Sequence, residues 1–252
     1  MTAPWREHLD GWPLPPVSFL LDPAKTMLVV VDVQRHAADP SVAVSTLLKE
    51  RYPEIAAYYL DRLENTTLPA IHTLLGFFRE HGLRVMFLCV GPWFEDRSDF
   101  SPRMRQREQG VSAETGQRIL FHHGDPIHDI LPELAPRDGE LVLHKTTMSA
   151  FLSTGLELML RNLGTKHLVF TGLATQACVE TTARDAADLG FNCVMVDDAC
   201  ITFTQAAHDA TLLNFAATFG RVDVAAAVIK ELTAALPVPV MTASTTPTTT
   251  SS

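Results

Sequence analysis

Short, continuous apolar segments alternate along this chain with longer amphipathic ones. Apolar residues at consecutive positions, and not only at every second one, are typical of strands buried on both faces of a sheet. Six segments of this kind predict strands, at Met27–Asp32, Arg84–Val90, Glu140–His144, His167–Thr171, Asn192–Val196 and Arg221–Ala225. Amphipathic spacing predicts helices over Thr67–His81, Gly155–Leu163, Gln176–Leu189 and Gln205–Phe219.

The order of these elements predicts an α/β fold. Repeated strand–helix–strand units imply right-handed crossovers, and therefore a doubly wound, mainly parallel six-stranded sheet with helices on both faces, a Rossmann-like three-layer sandwich. This domain is predicted over residues 26–235. Residues 1–25 hold five prolines and two tryptophans without periodicity and predict an extended arm. Residues 236–252 become almost entirely Thr, Ser and Pro, which predicts a disordered tail.

Composition narrows the possible functions. The 252 residues are 46 % hydrophobic and 19 % charged, which suits one well-packed domain, and the net charge of −9 disfavours nucleic acid as a partner. Four cysteines without a CxxC pair suit reduced thiols better than a disulfide scaffold or zinc ribbon. No apolar segment is long enough to span a bilayer, and the N-terminus lacks a signal core. We therefore expect a cytoplasmic protein without a membrane partner.

Cys178 is a candidate nucleophile. Functional sites of doubly wound sheets lie at the carboxyl ends of the strands, and Cys178 falls just inside a predicted helix that directly follows a strand. The positive end of a helix dipole favours the thiolate, which is the reactive form of cysteine. A free cysteine is more often a small, inert core residue, and that alternative stays open on position alone.

Asp32 and Lys145 also stand at predicted strand ends. Asp32 interrupts an apolar run, so its carboxylate needs a partner, and Lys145 follows the apolar run ending at His144. Either residue alone is more simply an ordinary charge at a strand end. Together they would supply a carboxylate to accept a thiol proton and an ammonium to stabilise the thiolate.

Three motifs resemble the isochorismatase-like cysteine hydrolases: Asp32-Val33-Gln34, Lys145-Thr-Thr-Met-Ser-Ala-Phe, and Gly172-Leu-Ala-Thr-Gln-Ala-Cys-Val. The resemblance runs in matching order from about Asp22 to Leu232. It implies a catalytic triad of Asp32, Lys145 and Cys178. It also implies a cis peptide between Leu173 and Ala174, with the backbone amides of Ala174 and Cys178 forming an oxyanion hole.

Departures from the family pattern indicate a branch. Relatives that hydrolyse nicotinamide carry an Asp-x-His…His metal site after the second strand, but residues 91–100 contain no histidine here. His122, His123 and His128 come too late in the loop, and we interpret them as loop residues. We therefore predict no metal and no cofactor. Isochorismatases proper lack the cysteine.

The resemblance thus favours the amidohydrolase branch that includes N-carbamoylsarcosine amidase, biuret hydrolase and ureidoacrylate amidohydrolase. It implies cleavage of a C–N bond in a small amide or ureide through a thioester, by a homo-oligomer in which a tetramer is favoured. The alternatives are an isochorismatase-type vinyl-ether hydrolase and a catalytically idle, oligomeric binding protein.

The substrate pocket is less well defined by the sequence. Candidate pocket residues are Gln34, Trp93, Phe151 and Leu173. The segment 91–120 is long enough to fold over the site. An arginine within it would either hold a substrate carboxylate or form a surface ion pair with nearby acids, and the second alternative is favoured for any single arginine. The candidates within this segment, besides Trp93, are Arg97, Phe100, Arg103 and Arg105. We interpret His208 as structural, and the other three cysteines as core residues.

Overall fold

Six strands form a single parallel sheet in the computed structural model, which describes residues 4–237. The strands are β1 Thr26–Val31, β2 Arg84–Val90, β3 Leu141–Lys145, β4 His167–Leu173, β5 Asn192–Ile201 and β6 Arg221–Asp223. Their order is β3-β2-β1-β4-β5-β6, and all neighbours pair in parallel. The predicted doubly wound α/β sheet is confirmed. Of the predicted tail, everything from Val238 onward lies outside the described residues.

Helices cover both faces of this sheet. They are α1 Pro4–Glu7, α2 Arg35–Ala38, α3 Ala43–Arg51, α4 Pro53–Arg62, α5 Leu68–Glu80, α6 Pro102–Thr115, α7 Ala150–Ser153, α8 Leu156–Asn162, α9 Glu180–Asp188, α10 Gln205–Thr218 and α11 Ala225–Ala235. Helices α3, α4, α5 and α11 contribute to one core, and α1, α7, α8, α9 and α10 to the other. Alternate residues of β1 enter the two cores, which is why the strand is apolar throughout.

Several helices were not predicted. Helices α4 and α5 run on through a π-helical turn at Leu63–Thr67, so the apolar spacing shifts between them. Pro69 stands in the first turn of α5, directly after that π turn. Proline lacks an N–H and crowds the carbonyl four residues earlier, and a wider turn relieves both constraints. The sequence predicted α5, within Thr67–His81, but not the helix α4 that continues into it.

The N-terminal segment lies on the body of the domain. Trp5 is buried, its Nε1 donates to an Asp197 carboxylate oxygen at 3.2 Å, and Arg6 donates to the Val222 carbonyl at 3.0 Å. The segment is not uniformly extended, because Pro4–Glu7 is helical. Within residues 4–237, no helix has both the length and the apolar character needed to cross a membrane.

Gly172 sits where β4 passes closest to β1. It pairs with Val31, has a φ of +108°, and an added Cβ would lie 2.0 Å from the Val31 carbonyl oxygen. Only glycine fits this position without moving a central strand.

We therefore expect Gly172→Ala to lower the melting temperature. A strained backbone conformation costs about 1–3 kcal/mol, which is roughly 2–12 °C for a domain of this size, and the clash adds to it. Gly110→Ala is the matched control, because Gly110 lies in α6 with open space at its Cβ position and should gain about 0.5–1 kcal/mol. Equal melting temperatures for the two variants would contradict this account.

Candidate active site

Asp32, Lys145 and Cys178 meet at the carboxyl edge of the sheet. Asp32 directly follows β1, Lys145 ends β3, and Cys178 lies in the π-helical turn Thr175–Val179 between β4 and α9. The Lys145 ammonium donates to the Asp32 carboxylate at 2.8 Å and to the Thr147 carbonyl at 3.2 Å. All three members of the predicted triad are buried. The structure therefore brings together the residues that the sequence predicted.

Local backbone geometry aims the Asp32 side chain. Its amide donates to the Leu88 carbonyl at 2.8 Å, which continues the β1–β2 pairing, and its φ of 51° then turns the chain. Aspartate is among the few residues that adopt this left-handed conformation readily. One carboxylate oxygen pairs with Lys145, and the other, Oδ1, is buried without a hydrogen-bond partner among the described residues. An acceptor is thus present for a proton.

Burial and charge set the protonation states. Burial raises the pKa of Asp32, although Lys145 opposes the shift. Burial disfavours the Lys145 ammonium, but Asp32 and Cys178 outweigh it and raise the pKa of the lysine. Burial, followed by the Asp32 carboxylate, raises the pKa of Cys178 to about 12 despite Lys145. Burial therefore favours the neutral thiol at Cys178, and not the thiolate expected from helix position alone.

The turn that carries Cys178 has an unusual hydrogen-bond pattern. The Ala174 carbonyl accepts hydrogen bonds from the amides of Ala177 at 2.9 Å and Val179 at 3.4 Å. The amide of Cys178, which lies between these two residues in the chain, is not part of this pair of bonds. The peptide bond between Leu173 and Ala174 is cis, as the resemblance implied.

A buried polar chain holds this turn. Thr175 Oγ1 lies 2.9 Å from His208 Nδ1, and the other ring nitrogen lies 3.0 Å from an Asp197 carboxylate oxygen. Arg62 approaches both Asp197 and His208. His208 is therefore structural, in agreement with its predicted role.

A cavity of about 140 Å³ opens at Cys178. It is smaller than the roughly 300–1,000 Å³ typical of sites for drug-sized ligands. Leu173 lines it, as predicted. Most of the other lining residues are apolar: Ala37, Val44, Tyr59, Val90, Met104, Ile119, Leu120, Met148, Ala174, Ala177 and Phe203. The cavity therefore suits a small molecule with few polar groups.

Three predicted pocket residues lie elsewhere. Gln34 is fully buried, where its side chain accepts from the Val90 amide at 2.8 Å and donates to the His128 carbonyl at 2.6 Å. Trp93 is half exposed and packs on His123, and Phe151 packs towards Phe191. Gln34 thus links the end of β2 to the loop before β3, whereas the two aromatic residues pack away from the cavity.

Helix α6, which lies within the segment 91–120, lines one side of the cavity. Met104, Arg107 and Glu108 share the face that lines it. Arg97 pairs with the buried Glu108 at 3.3 Å, and Arg105 lines a separate depression. Neither of these predicted arginines is at the cavity. Sequence reasoning missed Arg107, which a helix over 102–115 would have revealed, because positions i, i+3 and i+4 share a face.

His36 is a second lining residue that the sequence did not reveal. Its side chain is buried, and Nδ1 has no hydrogen-bond partner within residues 4–237. Burial, reinforced by His128 and Lys145, lowers the pKa of His36 to about 3. His36 therefore presents a neutral imidazole to the cavity at physiological pH. The only sequence signal was its place two residues after Gln34.

Known proteins resemble this chain both in sequence and in fold. The chain is 30 % identical over 234 residues to ureidoacrylate amidohydrolase RutB of Serratia proteamaculans, covering 86 % of this chain and 87 % of that protein. It is 29 % identical to RutB of Caulobacter vibrioides over 85 % and 94 % of the two chains.

Solved structures share the fold. A cysteine hydrolase from Pseudomonas syringae pv. phaseolicola superposes with a TM-score of 0.73 at 24 % identity, covering 89 % of this chain and all of that one. N-carbamoylsarcosine amidase from Thermoplasma acidophilum superposes with a TM-score of 0.58 at 23 % identity, over 80 % and 96 %. The model of the isochorismatase domain matches residues 26–226. Because this match spans the whole sheet with all three motifs, the chain belongs to the isochorismatase family.

Proposed function

We propose that this protein is a cysteine-dependent amidohydrolase that cleaves a C–N bond of a small amide or ureide through a thioester intermediate. One observation carries the proposal: the buried Cys178 thiol and the Asp32 carboxylate line the same small cavity. Lys145 holds one oxygen of that carboxylate, and the other oxygen has no hydrogen-bond partner among the described residues. The names of the RutB relatives support the substrate class.

The first half of the reaction forms the thioester. Asp32 takes the proton of Cys178 as the sulfur attacks the carbonyl carbon, so the thiolate exists only while the new bond forms. The amides of Ala174 and Cys178 donate to the developing oxyanion. The C–N bond then breaks, and Asp32 returns its proton to the departing ammonia or amine.

The second half regenerates the enzyme. A water molecule enters the position of the departed amine and gives a proton to Asp32 as its oxygen attacks the thioester. The C–S bond breaks, the acid product leaves, and the proton passes from Asp32 back to sulfur. Lys145 stays protonated throughout and stabilises the negative charge wherever it stands, on oxygen or on sulfur.

The lining residues favour a substrate with a carboxylate at one end. Arg107 is exposed at the cavity wall and makes no ion pair among the described residues, whereas Arg97 is occupied by Glu108. An amide or ureide carbonyl at Cys178 and a carboxylate at Arg107 would use both polar ends of an otherwise apolar cavity. Ureidoacrylate, the substrate in the RutB name, has both groups.

Cys178→Ser tests the nucleophile. The side chains are nearly isosteric, so the fold should persist, while turnover falls by at least roughly a thousandfold because the attacking atom is lost. The assay is ammonia release from biuret, carbamoyl amino acids, ureidoacrylate, maleamate and nicotinamide. Cys89→Ala is the control, since Cys89 lies within β2 and should affect stability more than activity. A Cys178→Ser enzyme that keeps a tenth of the activity would overturn the proposal.

Lys145→Met tests the charge balance. Lys145 lowers the pKa of both Asp32 and Cys178, so its removal should move iodoacetamide alkylation of Cys178 to higher pH by about one unit or more. Activity needs ionised Asp32 and is lost as pH falls through its raised pKa, so the acid limb of kcat/KM should lie above the ordinary carboxylate value of about 3.9 and rise further in the variant.

The exposed Lys166 gives the matched control, Lys166→Met. Mass spectrometry at Cys178 reports the alkylation rate at each pH. Superimposable alkylation profiles for wild type and Lys145→Met would show that Lys145 does not govern the nucleophile.

Arg107→Ala tests the carboxylate end of the substrate. A hydrogen bond to a charged group contributes about 1.5–3 kcal/mol, so kcat/KM for a carboxylate-bearing ureide should fall by roughly tenfold or more. The loss should appear mainly in KM, and a neutral amide such as biuret should be affected little. Arg105→Ala removes a cation from the other side of the same helix and should leave both substrates unchanged. Equal losses for charged and neutral substrates would exclude a carboxylate clamp at Arg107.

A further inference from the structure

Three histidines cluster beside the edge strand β3. His123, His128 and His144 each place a ring nitrogen within 4.8 Å of the others. Two come from the loop before β3 and one from the strand itself. We propose that these three side chains form a binding site for a divalent transition-metal ion, with Zn²⁺ as the representative ion.

The spacing of two of the nitrogens suits a shared ion. His128 Nε2 lies 3.2 Å from His144 Nδ1. Two nitrogens bound tetrahedrally to zinc at about 2.0–2.1 Å stand roughly 3.3 Å apart. The His123 ring, whose centroid lies 4.0 Å from that of His144, is exposed and can rotate towards them. Three imidazole ligands suit zinc, nickel, copper or cobalt better than magnesium or calcium.

The surroundings of His128 orient it as a ligand. Its Nδ1 lies 3.1 Å from both the Phe121 carbonyl and Gln34 Nε2, and in the tautomer whose Nδ1 proton goes to the Phe121 oxygen the Nε2 lone pair faces His144. Histidine ligands in proteins commonly have their other nitrogen held by a carbonyl in this way. Gly91 permits the arrangement, because a Cβ there would lie 2.5 Å from His128 Nδ1.

The histidine cluster is separate from the proposed catalytic site. His144 and Lys145 are consecutive on β3, so their side chains point to opposite faces of the sheet. None of the three histidines lines the cavity at Cys178. A bound ion would instead fasten the loop before β3 to its edge strand. The inference therefore does not depend on the proposed amidohydrolase reaction, and chelation should leave Asp32, Lys145 and Cys178 in place.

The test is a titration of tag-free, metal-stripped protein with Zn²⁺ by calorimetry, and with Co²⁺ followed by visible absorption. We expect one equivalent to bind, with a cobalt spectrum typical of nitrogen ligands. His123→Ala should weaken binding by at least about tenfold, because losing even an outer partner of a ligand costs about 10–100-fold. His123 is exposed, so this variant should fold normally.

His122→Ala is the matched control, since it removes the neighbouring histidine, which is not part of the cluster. The titration is repeated in Cys178→Ser protein so that the thiol cannot supply the site. The proposal is upheld if binding survives in His122→Ala and Cys178→Ser but is weakened in His123→Ala. It is overturned if no equivalent binds, if both histidine variants bind alike, or if the cobalt spectrum shows thiolate bands that vanish in Cys178→Ser.

Discussion

The buried ion pair between Lys145 and Asp32 is the interaction on which the rest of the site depends. The two residues end β3 and β1, which are separated by β2, so their strands stand about 9–10 Å apart in the sheet. Only a long side chain can cross the end of the intervening strand. Removing two charges from water costs several kcal/mol for each, and apolar residues would often be at least as stable in the same space. An ion pair at this position is therefore better explained by a chemical role in the site than by a contribution to the stability of the fold.

The same edge needs other polar contacts because strands end there inside the protein. Gln34 satisfies the Val90 amide at the end of β2 and the His128 carbonyl in the loop that leads to β3. Its burial is complete, so losing either bond would leave a buried polar group unpaired, at a cost of about 1–3 kcal/mol. Through His128, this network also reaches the three-histidine cluster. Residues that position the triad and residues outside it thus share one hydrogen-bonded frame.

The sequence predicted those features of the fold and the site that depend on the local pattern of apolar and polar residues. The central strands were found because they are continuous apolar runs, although β6 has a single apolar residue between Arg221 and Asp223. The proposed triad followed from polar residues at the carboxyl ends of the strands. Gln34, Trp93 and Phe151 do not line the cavity, because the direction of a side chain in a loop or a short helix depends on contacts far away in the chain. Helix α6 was missed because its arginines and glutamates hide the apolar spacing. The meeting of His144 with His123 and His128 is likewise set by tertiary packing, which no spacing rule encodes.

Charge conservation explains how a thiol with a pKa near 12 can serve as a nucleophile at neutral pH. If Cys178 released its proton to bulk water, a second buried anion would stand beside the Asp32 carboxylate. Burial and charge repulsion both oppose that state. Passing the proton to Asp32 creates no new charge. One anion and the Lys145 cation exist before and after, and the negative charge only moves from oxygen to sulfur. In the proposed mechanism, burial thus favours transfer of the Cys178 proton to Asp32 over its release to solvent, and the thiolate forms only as the substrate carbonyl takes up its charge.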